Sequence, residues 1–125
     1  MLVSFLLSDP PASSRSDSVS NWYAKAMPFA DRFFALSETF DSGANGHAIL
    51  SLLTGLNDLR VKVDETAYPR SLRKPRTQLL SAMEATLYAM TDSLIREHQS
   101  ADDHRRQARR SLNAFRSRTA ALGIE

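Results

Sequence analysis

Trp22, Ala26, Phe29, Phe33, Leu36 and Phe40 recur at intervals of four, three, four, three and four. That spacing gathers side chains on one face of an α-helix. Tyr23, Met27, Ala30 and Phe34 form a second ladder beside the first. The resulting helix is apolar around more than half its circumference, so it must be covered from at least two sides. Pro28 falls inside the pattern, where a proline removes one backbone hydrogen bond and costs about 3 kcal/mol unless the helix bends. The ladder keeps its phase across Pro28, which predicts one helix over residues 20–40, kinked there, rather than two short ones. Ser18 or Ser20 is placed to cap its start.

Three more helical patterns follow. Asp41 to Gly46 reads as a turn in which Gly43 and Asn45-Gly46 supply positive φ, with Ser42 or Asn45 capping the next helix. The second helix carries Ile49, Leu52, Leu56, Leu59 and Val63 and is expected to end at Pro69. The third carries Leu80, Met83, Leu87, Met90 and Leu94, with Pro75 acceptable in its first turn. It fades at Arg96-Glu-His-Gln99. Ser100-Ala-Asp-Asp103 resembles a capping box for a fourth helix bearing Ala108, Leu112, Phe115, Thr119 and Leu122, with Gly123 just past its end. No glycine or proline separates the third and fourth helices, so one long helix through residue 100 is the alternative. There is no strand-like alternation. The chain therefore reads as all-α, an antiparallel up-down bundle of four helices with short connections.

Ahead of the bundle, residues 8–20 are rich in Ser, Asp and Pro and have nothing to bury. The domain division is accordingly a flexible N-terminal segment over 1–19, expected to be disordered, and a bundle over 20–123. The first seven residues, Met1-Leu-Val-Ser-Phe-Leu-Leu7, are apolar but lack the basic n-region of a signal peptide. They read as a frayed end packing on the bundle or as the remnant of a clipped secretion or anchor segment. A cytoplasmic setting is favoured. No apolar run reaches the roughly 18 residues of a transmembrane helix.

Composition narrows the chemistry. A length of 125 residues allows one domain. The chain has no cysteine, which removes disulfides, thiolate metal sites and a thiol nucleophile. His47, His98 and His104 share no metal-ligand spacing, and the Glu-x-x-His signature of di-metal bundles is missing. Glu97-His98 with Asp102 and Asp103 reads as a solvated turn between helices. Asp64-Glu65 and Asp102-Asp103 are adjacent pairs that point apart on a helix. No serine lies in a nucleophile elbow, and no histidine has an identifiable orienting partner. The chain reads as non-enzymatic, without cofactor, metal or small-molecule substrate.

Two constellations remain. Tyr23, Met27 and Phe34 form the second face of the first helix, the surface on which self-association or a protein partner is expected. The other constellation is basic: Arg70, Arg73, Lys74 and Arg76 before and within the third helix, then Arg105, Arg106, Arg109, Arg110, Arg116 and Arg118 along the fourth. If the third and fourth helices are antiparallel, Arg73, Lys74 and Arg76 approach Arg116 and Arg118 and make a positive pole. Partial pairing of the others with Asp102 and Asp103 gives a solvated face. The sharper reading is an anion-binding surface for nucleic acid, an acidic partner or lipid headgroups. The net charge of +2 is too small to decide between them. No DNA-reading motif is present, and the aromatics lie on the core ladder rather than among the arginines. The fourth helix is amphipathic and basic, but its mainly Ala and Leu face is a poor membrane binder.

Overall fold

A computed structural model describes residues 12–123 apart from Ser42, with side chains described from Ser18 onward. The described residues form four α-helices and a short 3-10 turn: α1 (Ala12–Ser37), α2 (Gly46–Glu65), the 3-10 turn (Arg70–Leu72), α3 (Arg73–Leu94) and α4 (His98–Ala121). No strand occurs among them. Successive helices run antiparallel. Arg60 reaches Glu84 and Arg76 reaches Asp64 between α2 and α3, and Lys62 lies 5.4 Å from the Phe29 ring centre between α2 and α1. Trp22 near the start of α1 meets Phe115 near the end of α4, edge to face at 6.4 Å.

The two hairpins are built differently. The α3–α4 pair makes by far the most extensive helix contact. Its seam is lined by small buried residues, Ala82, Ala85, Ala89 and Ser93 on one side and Ala101 and Ala108 on the other. Side chains that end at Cβ let two helix axes come close, because axis separation follows the size of the side chains between them. The large residues sit where the α1–α2 hairpin lies across this pair. Trp22, Phe33, Leu56, Val63, Leu79, Met83 and Phe115 are all buried in one continuous cluster. The ladder of α2 is buried at Ile49, Leu56 and Val63. That of α3 is rotated towards the alanines: Met83 and Met90 are buried as expected, while Leu80, Leu87 and Leu94 are only partly covered.

Several local expectations are corrected. α1 begins at Ala12, not at residue 20, so residues 12–19 of the segment expected to be linker are helical and neither Ser18 nor Ser20 is a cap. Serine and aspartate lower helix propensity by only a few tenths of a kcal/mol each, and Val19 packs against the core cluster and holds this turn in place. The rest of the expected flexible segment, residues 1–11, lies outside the described residues. α1 is continuous through Pro28. The ring and Ala24, whose carbonyl loses its partner, are both exposed, so the helix passes the proline with that carbonyl on its solvent side.

Neither Gly43 nor Gly46 has positive φ; Gly123 is the glycine that does, at 77° just past α4. The turn before α2 is instead made by side chains. The Gly43 N–H donates to Asp41 Oδ1 at 2.8 Å, and the Ala48 N–H donates to Asn45 Oδ1 at 2.8 Å, which makes Asn45 the N-cap. α2 stops at Glu65, short of Pro69, with Thr66 extended and its hydroxyl donating to the Lys62 carbonyl.

α3 and α4 are separate helices. Arg96 takes φ +66°, the left-handed position usually given to glycine. The Glu97 N–H donates to the Asp92 carbonyl at 2.7 Å and the Arg96 N–H to the Ser93 carbonyl at 3.2 Å. This pair of bonds is a Schellman closure, made here without glycine. α4 then starts at His98, so Ser100 is inside the helix and is not the first residue of a capping box.

Ala101 is fully buried among the small residues of the seam, so Ala101→Leu is expected to destabilise the fold by about 1–3 kcal/mol through overpacking. Leu50→Ala, at a position 59% exposed, should stay within about 0.5 kcal/mol of the parent. Urea denaturation followed by circular dichroism checks both.

Candidate functional site

The antiparallel pairing of α3 and α4 brings the start of one beside the end of the other. Arg70, Arg73, Lys74 and Arg118 line one groove of about 390 Å³. Its remaining wall is largely apolar, from Pro75, Ala121 and Leu122. An adjoining groove of about 320 Å³ shares Arg73, Lys74 and Arg118 and adds Thr77 and Gln78, whose Oε1 is buried without a partner. Among the described residues, no acid lines either groove. Among the described residues, no ion pair engages these four cations.

The backbone brings helix ends of both signs to this end. The first turn of α3 contains no acid, and Pro69, which caps the preceding 3-10 turn, offers no side-chain acceptor. A helix start carries partial positive charge on its unpaired N–H groups. Arg118 stands in the last turn of α4, where a cation offsets the carbonyl end of that helix. Like charges that line one groove repel one another, and an incoming anion relieves that repulsion.

The other predicted cations are placed differently. Arg76 turns to α2, where Nη2 donates to the Asp64 backbone carbonyl at 2.8 Å and to its carboxylate, while the guanidinium lies 4.3 Å from the centre of the Tyr68 ring. Arg105 donates to Asp102 Oδ1 at 3.0 Å and to Ser93 Oγ at 2.7 Å, and Arg106 pairs with Asp103. Arg109, Arg110 and Arg116 are exposed on α4, and none of the three lines the pole. Tyr68, 40% exposed, is an aromatic beside the pole that the core-ladder reading passed over.

The second face of α1 is half-buried. Tyr23, Met27 and Phe34 all pack against the core cluster, and none is among the large exposed apolar residues. Phe34 also lines an open groove of about 440 Å³ between α1, α3 and α4, with Phe40, Met90 and Leu112 on its apolar side and Arg105 and Arg109 at its edge.

A polar cluster near the α3–α4 turn was not visible in the sequence. Asp92 Oδ2 accepts from the Ser100 hydroxyl at 2.8 Å and lies 2.6 Å from His104 Nδ1. The expectation that no histidine has an orienting partner is therefore corrected: Asp92 orients His104, whose ring also lies against Tyr88 at 5.4 Å. The partners are 8 and 12 residues apart in sequence, and only the hairpin register brings them together. Ser100 is bonded to the carboxylate rather than to the imidazole, so the group ties α3 to α4 and presents no activated hydroxyl. Among the described residues, no cluster of three or more His, Asp or Glu side chains is arranged to hold a metal ion.

Comparison with known proteins places no relative beside this arrangement: no family model, curated protein or solved structure matches the chain.

The Ser100 hydroxyl and the His104 ring together hold the Asp92 carboxyl below its ordinary value, against a partial burial that works the other way. A carboxylate whose pKa is lowered on folding stabilises the native state above its unfolded value of about 3.9, and that contribution is lost as pH falls through the lowered one. Asp92→Asn should therefore be less stable than the parent at neutral pH, and the gap should close on acidification below about pH 4. Urea midpoints measured across that range check the sign.

Proposed function

We propose that the chain is a non-enzymatic helical-bundle binding module that docks a polyanionic partner through its basic pole. The observation that carries this reading is the convergence of Arg70, Arg73, Lys74 and Arg118 on one groove with no acid among its described lining residues. Three other basic side chains have acidic partners of their own: Arg105 and Arg106 offset Asp102 and Asp103, and Arg76 offsets Asp64, while Arg109, Arg110 and Arg116 are exposed along α4 away from the pole. The pole has none among the described residues, and its groove is open to an extended anion. Cations that neutralise phosphates release condensed counterions, so affinity should fall steeply as salt rises.

The test is titration of a fluorescently labelled single-stranded oligonucleotide at about 50 and 200 mM salt. Binding should weaken between the two. The combined variant Arg73→Ala, Lys74→Ala, Arg118→Ala should lose about tenfold or more at the lower salt. Replacing Arg105, Arg106, Arg109 and Arg110 with Ala should leave binding nearly unchanged. Absent binding at the lower salt, or a loss produced by the second set alone, overturns the pole as the docking site.

A second reading, self-association through α1 at Tyr23, Met27 and Phe34, is favoured by the open groove that Phe34 shares with Phe40, Met90 and Leu112. It predicts a dimer by light scattering coupled to size exclusion at tens of micromolar. A strict monomer there removes it.

A further inference from the structure

We propose that the open groove between α1, α3 and α4 binds a small amphipathic carboxylate, a molecule with one anionic head and an apolar body. The site is separate from the basic pole. Trp22 meets Phe115, and further along this antiparallel pair Phe34 and Phe40 share the groove with Arg105, Arg109 and Leu112. Arg109 lies nine residues before Arg118, about 14 Å along the axis of α4.

The shape of the groove follows from the α3–α4 seam. Ala89 and Ala108 are buried and form its floor, while Phe34, Phe40 and Leu112 are half-buried and form its walls. Small side chains below and large ones around them leave a concavity of about 440 Å³. That lies within the roughly 300–1,000 Å³ of pockets that hold small molecules, which pair an apolar lining with a few placed polar groups. Met90, also buried, adds an unbranched thioether chain that adapts to the outline of an occupant.

The polar groups of the lining decide the chemistry of the occupant. The hydroxyls of Ser37 and Thr86 donate to the Phe34 and Ala82 carbonyls, each at 2.8 Å, so neither proton is offered to the groove. Arg105 is held by Asp102 at 3.0 Å and by Ser93 at 2.7 Å. Arg109 stands one turn further on the same face of α4 and makes no ion pair among the described residues. Its guanidinium is free to take a carboxylate through two parallel hydrogen bonds. Glu38, on the α1 side, is the one acid in the described lining, and it too has no ion pair there. Two arginines against one glutamate leave the lining with one net positive charge. A monoanion fits that balance with its head at α4 and its apolar body between Phe34, Phe40 and Leu112. A second negative charge would be repelled by Glu38.

The test is titration of the full chain, labelled with nitrogen-15, with octanoate and with 1-octanol, followed by amide chemical shifts. Octanoate should bind with a dissociation constant of about 1 mM or below. The shifts should concentrate at residues 34–40 and 105–112. The uncharged alcohol should bind about tenfold more weakly. Arg109→Glu should weaken octanoate binding about tenfold or more and leave octanol binding unchanged. Thr86→Leu, which puts a larger apolar side chain into the groove, should weaken both. The pole variant Arg73→Ala, Lys74→Ala, Arg118→Ala should bind octanoate as the parent does. The same spectra show that each variant is folded. No binding up to about 10 mM, shifts centred on the pole, octanol held as tightly as octanoate, or parent affinity in Arg109→Glu each overturns the proposal. Shifts at residues 34–40 and 105–112 that appear on concentrating the chain without ligand assign the groove to a second copy and overturn it as well. Oligonucleotide binding at the pole stands or falls independently of these results.

Discussion

The α3–α4 pairing is the most extensive helix contact in this bundle, and the placement of its polar groups depends on it. The pairing itself depends on small residues: Ala82, Ala85, Ala89, Ala101 and Ala108 are buried with side chains that end at Cβ, and buried Ser93 continues the seam towards the turn. Once the axes are this close, three things follow. Asp92 can reach both Ser100 and His104. The turn between the helices must reverse within a few residues, which forces the left-handed geometry at Arg96. The start of α3 must also lie against the end of α4, which gathers the cations of the pole. The aromatic cluster of α1 does not determine this arrangement. It fills the space that the tight hairpin leaves on its other side, which explains why its side chains are large where those of the seam are small.

The repeat of large apolar residues announced all four helices, and the caps at Asn45 and Gly123 could be read from their residue types. Two kinds of feature were harder to see. Alanine contributes little to a hydrophobic pattern, so the ladder on α3 was centred on its leucines, whereas the buried face turns towards Ala82, Ala85 and Ala89. The turn at Arg96 and the bonds of Asp92 depend on hairpin register, and a register is not a property of any short stretch of sequence. The pole lies between these cases. Its cations were visible as a run, and the antiparallel pairing was enough to bring Arg73 and Lys74 to Arg118. Without the positions of the acids, nothing separated those cations from Arg76, which Asp64 draws away. The early start of α1 was missed for a different reason. Ser and Asp are weak arguments against a helix when a residue such as Val19 has a core to reach.

The two ends of the hairpin thus carry different chemistry on one rigid support. One end holds an aspartate whose protonation is tied to the hairpin itself. The other holds unpaired cations that meet solvent. Arg73 and Asp92 are nineteen residues apart on a single helix, about 28 Å along its axis. That is more than three screening lengths at physiological salt, where the Debye length is about 8 Å. Titration of Asp92 therefore changes almost nothing in the potential felt by an anion at the pole, and a bound anion barely disturbs Asp92. The two ends are electrically insulated from each other by the length of α3, and any influence between them has to be carried by movement of the helices.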